Sequence, residues 1–491
     1  MMIILVGIVT GLVHYVSDLD FNKHEEQMTD EVVHSILAFS PTTFFVVLLP
    51  PIIFNSGYHI RRDLFFRYIT PICLYACLGT TVCAIAVAGM LYSIKGLFTF
   101  DVTLLELMAF GALISATDPV STLAVFSAKK VDPQLFHLVF GESLINDAVG
   151  LVLFESLAHL IEASRNGEEL AVGEEIIQFL LDFVTGFIGS LCLGTLFGVM
   201  VAYFLKVADL RSTPHLELCI YVTIMYFPFV VAELFHLSGI VSVLFTGIAA
   251  KRYAEPNLST EAREDADTVF RLVAHLTETI IFLELGMAAF GIGIEAIHPS
   301  FICLALFACL CGRAINIFPI TFLFNSCADR RNIHLDEDAF VVNNTCPENG
   351  EPCSTKAIDD TRIPWSKATM LWFSGLRGAV SYALVRTFPR TGNEQIFIVT
   401  TMIIVLVTTF AFGGSTEWAL KMLNIPVDVD EAEYLRTLRK RKLLCGWLHR
   451  FENDTIRSCV IRDFCKRHGT ATQNRHLCLY RGLPGARRAY S

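Results

Sequence analysis

Long apolar runs, separated by short polar stretches, make up most of the chain. Most of them are long enough to cross the hydrocarbon core of a bilayer, about 30 Å thick, as an α-helix. A helix satisfies its own backbone hydrogen bonds, which lipid cannot do. The runs cover residues 1–16, 41–57, 68–93, 104–127, 136–161, 176–206, 216–236, 238–250, 267–290, 299–325, 367–388 and 394–415. The pattern predicts an all-α, polytopic membrane protein with about twelve transmembrane helices.

The first apolar run begins at Met1 and is short for a complete span. We expect either a clipped span whose upstream neighbour is missing from this sequence, or a signal peptide. The signal peptide is the weaker interpretation, because the run has neither a charged n-region nor a small-residue cleavage signal.

Composition supports a membrane protein and excludes several other classes. Of the 491 residues, 53% are hydrophobic and 18% are charged. That is too little charge to cover the surface of a soluble protein, so a cytosolic enzyme and a disordered regulator are excluded. The net charge of −10 argues against a nucleic-acid partner. The 15 Cys residues are scattered, often inside apolar runs, which is typical of buried thiols rather than of a disulfide framework.

Lys and Arg are sorted between the two alternating sets of loops. One set carries fifteen of them and the other carries four. Because cytoplasmic loops carry the excess of positive charge, the first set and the tail after about residue 416 are predicted to be cytoplasmic. The fifteen are Arg61, Arg62, Arg67, Lys129, Lys130, Lys206, Arg211, Lys251, Arg252, Arg263, Arg330, Arg331, Lys356, Arg362 and Lys367, and the four are Lys23, Lys95, Arg165 and Arg390.

The loop 326–366 has features that disagree with a cytoplasmic location. It contains a glycosylation sequon at Asn343 and two cysteines, Cys346 and Cys353. We give the charge count more weight than one tripeptide, and in the cytosol the sequon would be silent and the thiols reduced.

The predicted tail, residues 416–491, differs in kind from the rest of the chain. Basic residues and an apolar stripe at helical spacing predict a basic amphipathic helix within 430–465. Such a helix suits an anionic lipid surface or a regulatory protein. The alternative is a solvated helix that ends in disorder, and beyond Gly469 little order is expected.

The run 104–127 carries a charge and a helix breaker near its middle. Residues 115–120 read SATDPV, which places Asp118 directly before Pro119. Proline cannot donate a backbone hydrogen bond and disfavours helix at the residue before it, so the helix is predicted to break here. A broken helix at membrane depth is how transporters build ion sites. The simpler alternative is a proline kink with Asp118 capping the second half.

The next run carries three polar residues at membrane depth. Residues 141–149 read GESLINDAV and contain Glu142, Asn146 and Asp147. A hard cation such as Na⁺ prefers oxygen ligands, and a low-dielectric site favours the protonated form of a carboxylate. Asp147 could therefore hold either a cation or a proton, beside a neutral amide. A buried structural ion pair suits Glu142 better than Asp147.

Two later runs carry an arginine each. Arg313 lies in run 299–325 and is the natural partner for Glu142, because a charge in lipid requires compensation. Arg377 lies between two glycines in run 367–388, where a second break is expected. A cation there could neutralise the carbonyl end of a half-helix.

The order of the runs adds a topological argument. The two broken runs are the fourth and the eleventh, so they cross the membrane in opposite directions. Residues 68–161 and 299–415 are therefore inverted copies in topology. Interrupted helices at matching positions of inverted repeats indicate a transporter's binding site.

Four stretches resemble the sodium/proton exchanger family of monovalent cation/proton antiporters. They are residues 44–54 (FFVVLLPPIIF), 115–120 (SATDPV), 140–149 (FGESLINDAV) and 372–379 (WFSGLRGA). The matches follow the family's order from about residue 2 to 415. Residues 51–58 and 116–118 look nearer the organellar branch of the family than the plasma-membrane branch.

The resemblance implies an NhaA-like antiporter fold with inverted repeats and two crossing helices, in a homodimer. It implies electroneutral exchange of Na⁺ or K⁺ for H⁺ by alternating access, with no cofactor besides these transported ions. The expected location is the membrane of an endosomal or Golgi-type organelle, or the plasma membrane. By the family's motifs, the ion site consists of Asp147, Asn146, Asp118, Thr117 and Ser143, and the cation is held by Asp147 and Asp118. Glu142 and Arg313 would form a stabilising pair, and Arg377 would be the basic residue at the second crossing. The region linked to inhibitor sensitivity would include Phe44, Leu48, Pro50 and Ile52.

The chain departs from the family in two places. We expect the first family helix to be missing from this sequence and the following one to be clipped, and the loop 326–366 is longer than is usual in the family. We expect residues 1–415 to form the antiporter domain and residues 416–491 the cytoplasmic tail.

Two other functions compete with the antiporter. A cation channel would need a continuous pore and would pass current. An intramembrane aspartyl protease could use Asp118 and Asp147 as a proton-sharing pair, but the Gly-x-Gly-Asp signature is missing.

Overall fold

A computed structural model describes residues 2–21, 43–165, 172–288, 297–338 and 362–431, together with residues 434, 457 and 460–462. All regular secondary structure in these ranges is helical. The described part of each of the twelve apolar runs is mostly helical, and the predicted all-α polytopic fold is confirmed. The α-helices are α1 (Met2–Phe21), α2 (Leu49–Tyr58), α3 (Arg62–Arg67), α4 (Ile69–Cys73), α5 (Thr80–Ser93), α6 (Leu104–Ser115), α7 (Val120–Ala128), α8 (Pro133–Arg165), α9 (Val172–Ala208), α10 (Pro214–Ile224), α11 (Phe227–Leu234), α12 (Gly239–Ala249), α13 (Thr260–Ala288), α14 (Pro299–Asp338), α15 (Trp365–Phe373), α16 (Ala379–Arg386), α17 (Glu394–Thr408) and α18 (Gly414–Met422).

Seven helical segments of the described residues are long and apolar enough to cross a membrane. They are Ile69–Ser93, Leu104–Ala128, Pro133–Arg165, Phe183–Ala208, Pro214–Leu234, Pro299–Cys327 and Glu394–Met422. Short π-helical turns occur at Phe44–Leu48, Leu74–Gly79, Ala250–Ala254 and Thr409–Gly413, and the second and fourth of these lie within spans.

Several helix ends differ from the predicted ones. α1 reaches Phe21 rather than residue 16, and α14 continues to Asp338 rather than residue 325. Apolar content locates the part of a helix that faces lipid or core, but a helix can continue beyond it with polar residues. The run 216–236 is two helices, because Pro228 stands at the first turn of α11, where a helix tolerates it best.

The described residues form two compact units. The first contains residues up to 52, 61–189 and 274–431 with Tyr434, and the second contains 53–60, 190–273, 457 and 460–462. The predicted ion-site residues all belong to the first unit.

The second unit holds the last described residues of the tail. The buried Asn257 amide donates to the Val460 carbonyl (3.0 Å) and accepts from the Arg462 backbone N–H (2.8 Å). The Arg462 side chain donates to the Leu205 and Lys206 carbonyls near the end of α9. Its guanidinium also bonds Asp209 and holds the pKa of that carboxyl below its usual range.

The first unit contains the residues that follow α18, which lie against the loop between α7 and α8 and against the residues that flank α3. The Asp428 and Val429 N–H groups donate to the Lys129 and Lys130 carbonyls (2.9 and 3.0 Å), and the Asp132 N–H donates to the Pro426 carbonyl (3.1 Å). Farther along, Glu431 pairs with Arg61 (2.8 Å), and the Tyr434 and Tyr68 hydroxyls share a hydrogen bond (3.1 Å). We call residues 424–431 with Tyr434 the C-terminal strap. Of the predicted tail helix 430–465, the remaining residues lie outside the described ones, apart from 457 and 460–462.

Candidate functional site

The first predicted break is present where Asp118 and Pro119 require it. α6 ends at Ser115, the backbone at Ala116 is extended, and α7 begins at Val120. The Asp118 carboxylate accepts from the Val120 N–H (3.1 Å), so it caps α7. The prediction of a broken helix is therefore confirmed, and the capping alternative holds together with it.

The second predicted break is also present and lies beside the first. α15 ends at Phe373 and α16 begins at Ala379, with no helix at 374–378. The Asp118 N–H donates to the Leu376 carbonyl (3.0 Å). A Cβ atom on Gly378 would lie 1.9 Å from the Cβ of Asp118, so glycine is required for the two breaks to approach this closely.

Arg377 lies fully within this crossing. It is 2% exposed, and its guanidinium donates to the Ser115 carbonyl (2.8 Å) and, at longer range, to those of Ala116 (3.4 Å) and Cys309 (3.5 Å). The first two carbonyls lie at the C-terminal end of α6, where a helix carries partial negative charge. The cation therefore stabilises a buried end of the broken helix.

Glu142 of α8 and Arg313 of α14 form the buried ion pair that charge compensation in lipid suggests. Both guanidinium N–H ends donate to the carboxylate, at 2.6 and 2.9 Å, and the two side chains are 1% and 3% exposed. Arg313 also donates to the Leu371 carbonyl in α15 (3.1 Å). The pair thus connects α8 and α14 and reaches the second broken helix.

Asn146 is fully buried, and both ends of its amide are engaged. Its nitrogen donates to the Glu142 carboxylate (3.0 Å), the Thr117 hydroxyl (3.1 Å) and, more weakly, the Ser115 carbonyl (3.4 Å). Its oxygen accepts from the Thr80 hydroxyl (2.8 Å). In this arrangement the Asn146 amide connects α8 to Thr80 and to the first break.

Ser143 and Thr117 complete the attachment of the break to α8. The Ser143 hydroxyl donates to the Thr117 carbonyl (2.7 Å), and both residues are buried. The unwound segment is therefore held by side chains from one face of α8, one turn apart.

Asp147 differs from its neighbours, because one of its carboxylate oxygens has no partner. Oδ1 is buried and makes no hydrogen bond within the described structure, while the residue as a whole is partly exposed. A buried polar atom without a partner is unusual and requires an explanation, such as a site for an ion or a proton. Asp147 thus combines partial exposure of the residue with a buried carboxylate oxygen that has no partner.

The predicted inhibitor region forms a π-helical turn followed by α2. Phe44, Leu48 and Pro50 are buried, and Ile52 is partly buried. The adjacent Phe45 lines a cavity of about 230 Å³, together with Phe154, Glu155, Ala158, His159, Glu162, Leu384 and Thr387.

The sequence interpretation did not single out a polar face of α8 or the residue Thr80. Glu155, His159 and Glu162 share one face of α8 at spacings of four and three, a polar pattern that could have been noticed. Thr80 gave no comparable signal, because a threonine in an apolar run is ordinary.

The described residues place two interrupted helices side by side among apolar helices, which is the architecture of a secondary transporter. The fold is similar to that of the sodium proton antiporter MjNhaP1 from Methanocaldococcus jannaschii. The TM-score is 0.59 with 15% identity, over 86% of this chain and 92% of that one.

Comparison of sequences identifies the family. The family model for "Sodium/hydrogen exchanger, transmembrane" matches residues 1–422, and the chain belongs to this family of transporters, which are not enzymes. It is 35% identical to an uncharacterized Na(+)/H(+) antiporter of Schizosaccharomyces pombe, over 87% of this chain and 68% of that protein. It is 35% identical to human sodium/hydrogen exchanger 8 (86% and 66%) and 32% identical to rat sodium/hydrogen exchanger 9 (88% and 63%). The chain thus spans about two thirds of the length of these relatives.

Proposed function

We propose that this protein exchanges Na⁺ or K⁺ for H⁺ by alternating access around Asp147. The observation that carries the proposal is the buried, unpartnered Oδ1 of Asp147 at the crossing of two broken helices, in a chain of the exchanger family. Because one carboxylate can bind a cation or a proton but not both, the two ions compete for it. This competition couples their movements in opposite directions.

The surrounding charges support electroneutral exchange. Glu142 and Arg313 compensate each other, and Arg377 is engaged with backbone carbonyls. Asn146, beside Asp147, carries no charge. Ionised Asp147 with a bound cation and protonated Asp147 have the same net charge, so each cycle would move one positive charge each way.

The remaining predicted ion-site residues have supporting roles in this proposal. Asp118 lies in the first break and supplies a second carboxylate for the cation, since hard cations prefer oxygen ligands. Thr117, Ser143 and Asn146 hold that break in position. The carbonyls freed by the break offer further oxygen ligands.

The proposal extends to the assembly and its location. The protein would act as a homodimer in an endosomal, Golgi-type or plasma membrane, with its tail in the cytoplasm. The sorting of Lys and Arg along the sequence supports this orientation. Anionic lipid or a regulatory protein would bind the basic segment within 430–465.

Purified protein in sealed vesicles tests the exchange directly. An outward Na⁺ gradient imposed on vesicles that contain a pH-sensitive dye should acidify the interior, since each Na⁺ that leaves admits one H⁺. A K⁺ gradient in parallel vesicles decides between the two cations. Vesicles without protein give the baseline, and a wild-type signal equal to this baseline for both cations would refute the proposal.

A membrane-potential clamp separates an exchanger from a channel. With equal and parallel Na⁺ and H⁺ gradients, a one-to-one exchanger produces no net proton flux at any imposed potential. A channel passes current that follows the potential. Voltage-dependent flux under balanced gradients would favour the channel.

Gly378→Ala is expected to reduce exchange about tenfold or more, because the new Cβ would overlap Asp118 and shift the two breaks apart by about an ångström. Initial rates in the vesicle assay measure the effect. Gly96→Ala is the matched control, since a Cβ on Gly96 meets nothing within 4 Å. Equal rates for the two variants would show that the close approach is unimportant for transport.

A further inference from the structure

Thr80 lies at a point where α5 meets the ion-binding helix α8. It begins α5 directly after the π-helical turn Leu74–Gly79, which packs against α8. Its side chain is fully buried, and its hydroxyl donates to Oδ1 of Asn146 (2.8 Å). The next residue, Thr81, differs in both respects. It is partly buried, and its hydroxyl donates to the Cys77 carbonyl within its own helix (2.9 Å).

The local backbone favours this contact. π-helical turns inside α-helices are rare and occur often at functional sites. Gly79, the last residue of the turn, has no Cβ, and a Cβ there would lie 1.9 Å from the Asn316 side-chain oxygen. The turn therefore brings α5, α8 and α14 together at the level of Asn146.

The hydrogen bond from Thr80 fixes which way the Asn146 amide faces. The two ends of an amide are chemically opposite, because the nitrogen donates and the oxygen accepts. The partners on the far side are a carboxylate, a carbonyl and a hydroxyl, namely those of Glu142, Ser115 and Thr117. A reversed amide would turn its oxygen towards the first two, which cannot donate to it. Thr80 offers a donor to the oxygen and so stabilises the productive orientation.

We propose that Thr80 is a positioning residue for the ion site, whose hydroxyl orients the Asn146 amide and thereby holds the unwound segment at residues 115–118. This inference rests on the proposed exchange function, and it adds a residue outside the four family-like stretches. Thr80 does not touch the cation. Its effect passes through Asn146 to the break that carries Asp118.

The decisive comparison is between Thr80→Val and Thr81→Val in the vesicle assay. Valine keeps the shape of threonine and removes the donor. Thr80→Val leaves the buried Asn146 oxygen without its hydrogen-bond donor. The loss of one such hydrogen bond changes the equilibrium constant for the correctly arranged site about tenfold. We expect the KM for the cation to rise about tenfold, with the maximal rate per molecule changed less than about twofold, and Thr81→Val to match the wild type.

Conservative and combined variants separate positioning from packing. Thr80→Ser keeps the donor and should restore the wild-type KM. If Thr80 acts through Asn146, then Thr80→Val should add little to the effect of Asn146→Ala, because coupled residues are not additive. Equal effects of Thr80→Ser and Thr80→Val, or full additivity with Asn146→Ala, would overturn the inference.

The outcomes also distinguish this inference from the proposed function. If the wild type shows no exchange, the proposed function fails. If the wild type exchanges and Thr80→Val has the KM of Thr81→Val, then this inference alone fails. Size-exclusion profiles check folding, and if Thr80→Val is misfolded, Thr80→Ala replaces it with the same expected rise in KM and the same refuting result.

Discussion

Asp147→Asn should reduce cation-driven proton movement to the level of vesicles without protein. An amide has nearly the size of the carboxylate, but it neither ionises nor exchanges a proton at any working pH. The site then holds no negative charge with which to attract the cation. The measurement is the initial rate of dye response after a Na⁺ or K⁺ gradient is imposed, normalised to the amount of protein in the vesicles.

Asp101→Asn is the matched control for this substitution. Asp101 is exposed in the segment before α6, outside the crossing, and its replacement should leave the rate unchanged. Both variants should elute from size-exclusion chromatography as the wild type does. Exchange that survives in a folded Asp147→Asn protein would remove Asp147 from the mechanism and leave Asp118 as the carboxylate to test.

Arg313→Met is expected to be the most destabilising single change in the first unit. It leaves the Glu142 carboxylate, which is 1% exposed, without its bidentate partner. Removing one member of a buried ion pair costs about 3–5 kcal/mol, because the remaining charge is uncompensated. Thermal melting of the purified protein in detergent should show a fall of several degrees.

The double variant Glu142→Gln/Arg313→Met should recover much of the lost stability. It contains no unpaired charge, and the introduced amide oxygen could still accept the hydrogen bond from Asn146. Lys421→Met provides the surface control, since Lys421 pairs with Glu417 where both side chains are largely exposed, and such pairs contribute at most about 1 kcal/mol. A double variant as unstable as Arg313→Met would show that packing, rather than charge, determines the loss.

The sequence was informative wherever a residue conflicts with lipid. A charge directly before a proline in an apolar run favours a break, so the first break could be placed at Asp118 and Pro119 to within a few residues. Glu142 and Arg313 could be paired in advance, because two opposite charges in apolar runs cost less together than apart. The glycines beside Arg377 located the second break, because glycine weakens a helix.

Other parts of the site depend on three-dimensional contacts that leave no such trace. The acceptors of Arg377 are backbone carbonyls, which every residue has. The partnership of Thr80 and Asn146 joins two distant runs through one hydroxyl and one amide. The π-helical turn before Thr80 could not be located in advance, since residues 74–79 contain no proline and a single glycine in an apolar run does not specify a π-helical turn.

The C-terminal strap bears on where the chain can be cut. The match to the family ends at residue 422, and the strap begins two residues later. A protein truncated at residue 422 would retain every matched residue, yet it would expose the carbonyls of Lys129 and Lys130 and the N–H of Asp132, which the strap now bonds. It would also remove the partners of Arg61 and Tyr68. A shortened protein intended for crystallisation or vesicle work should therefore end after Tyr434.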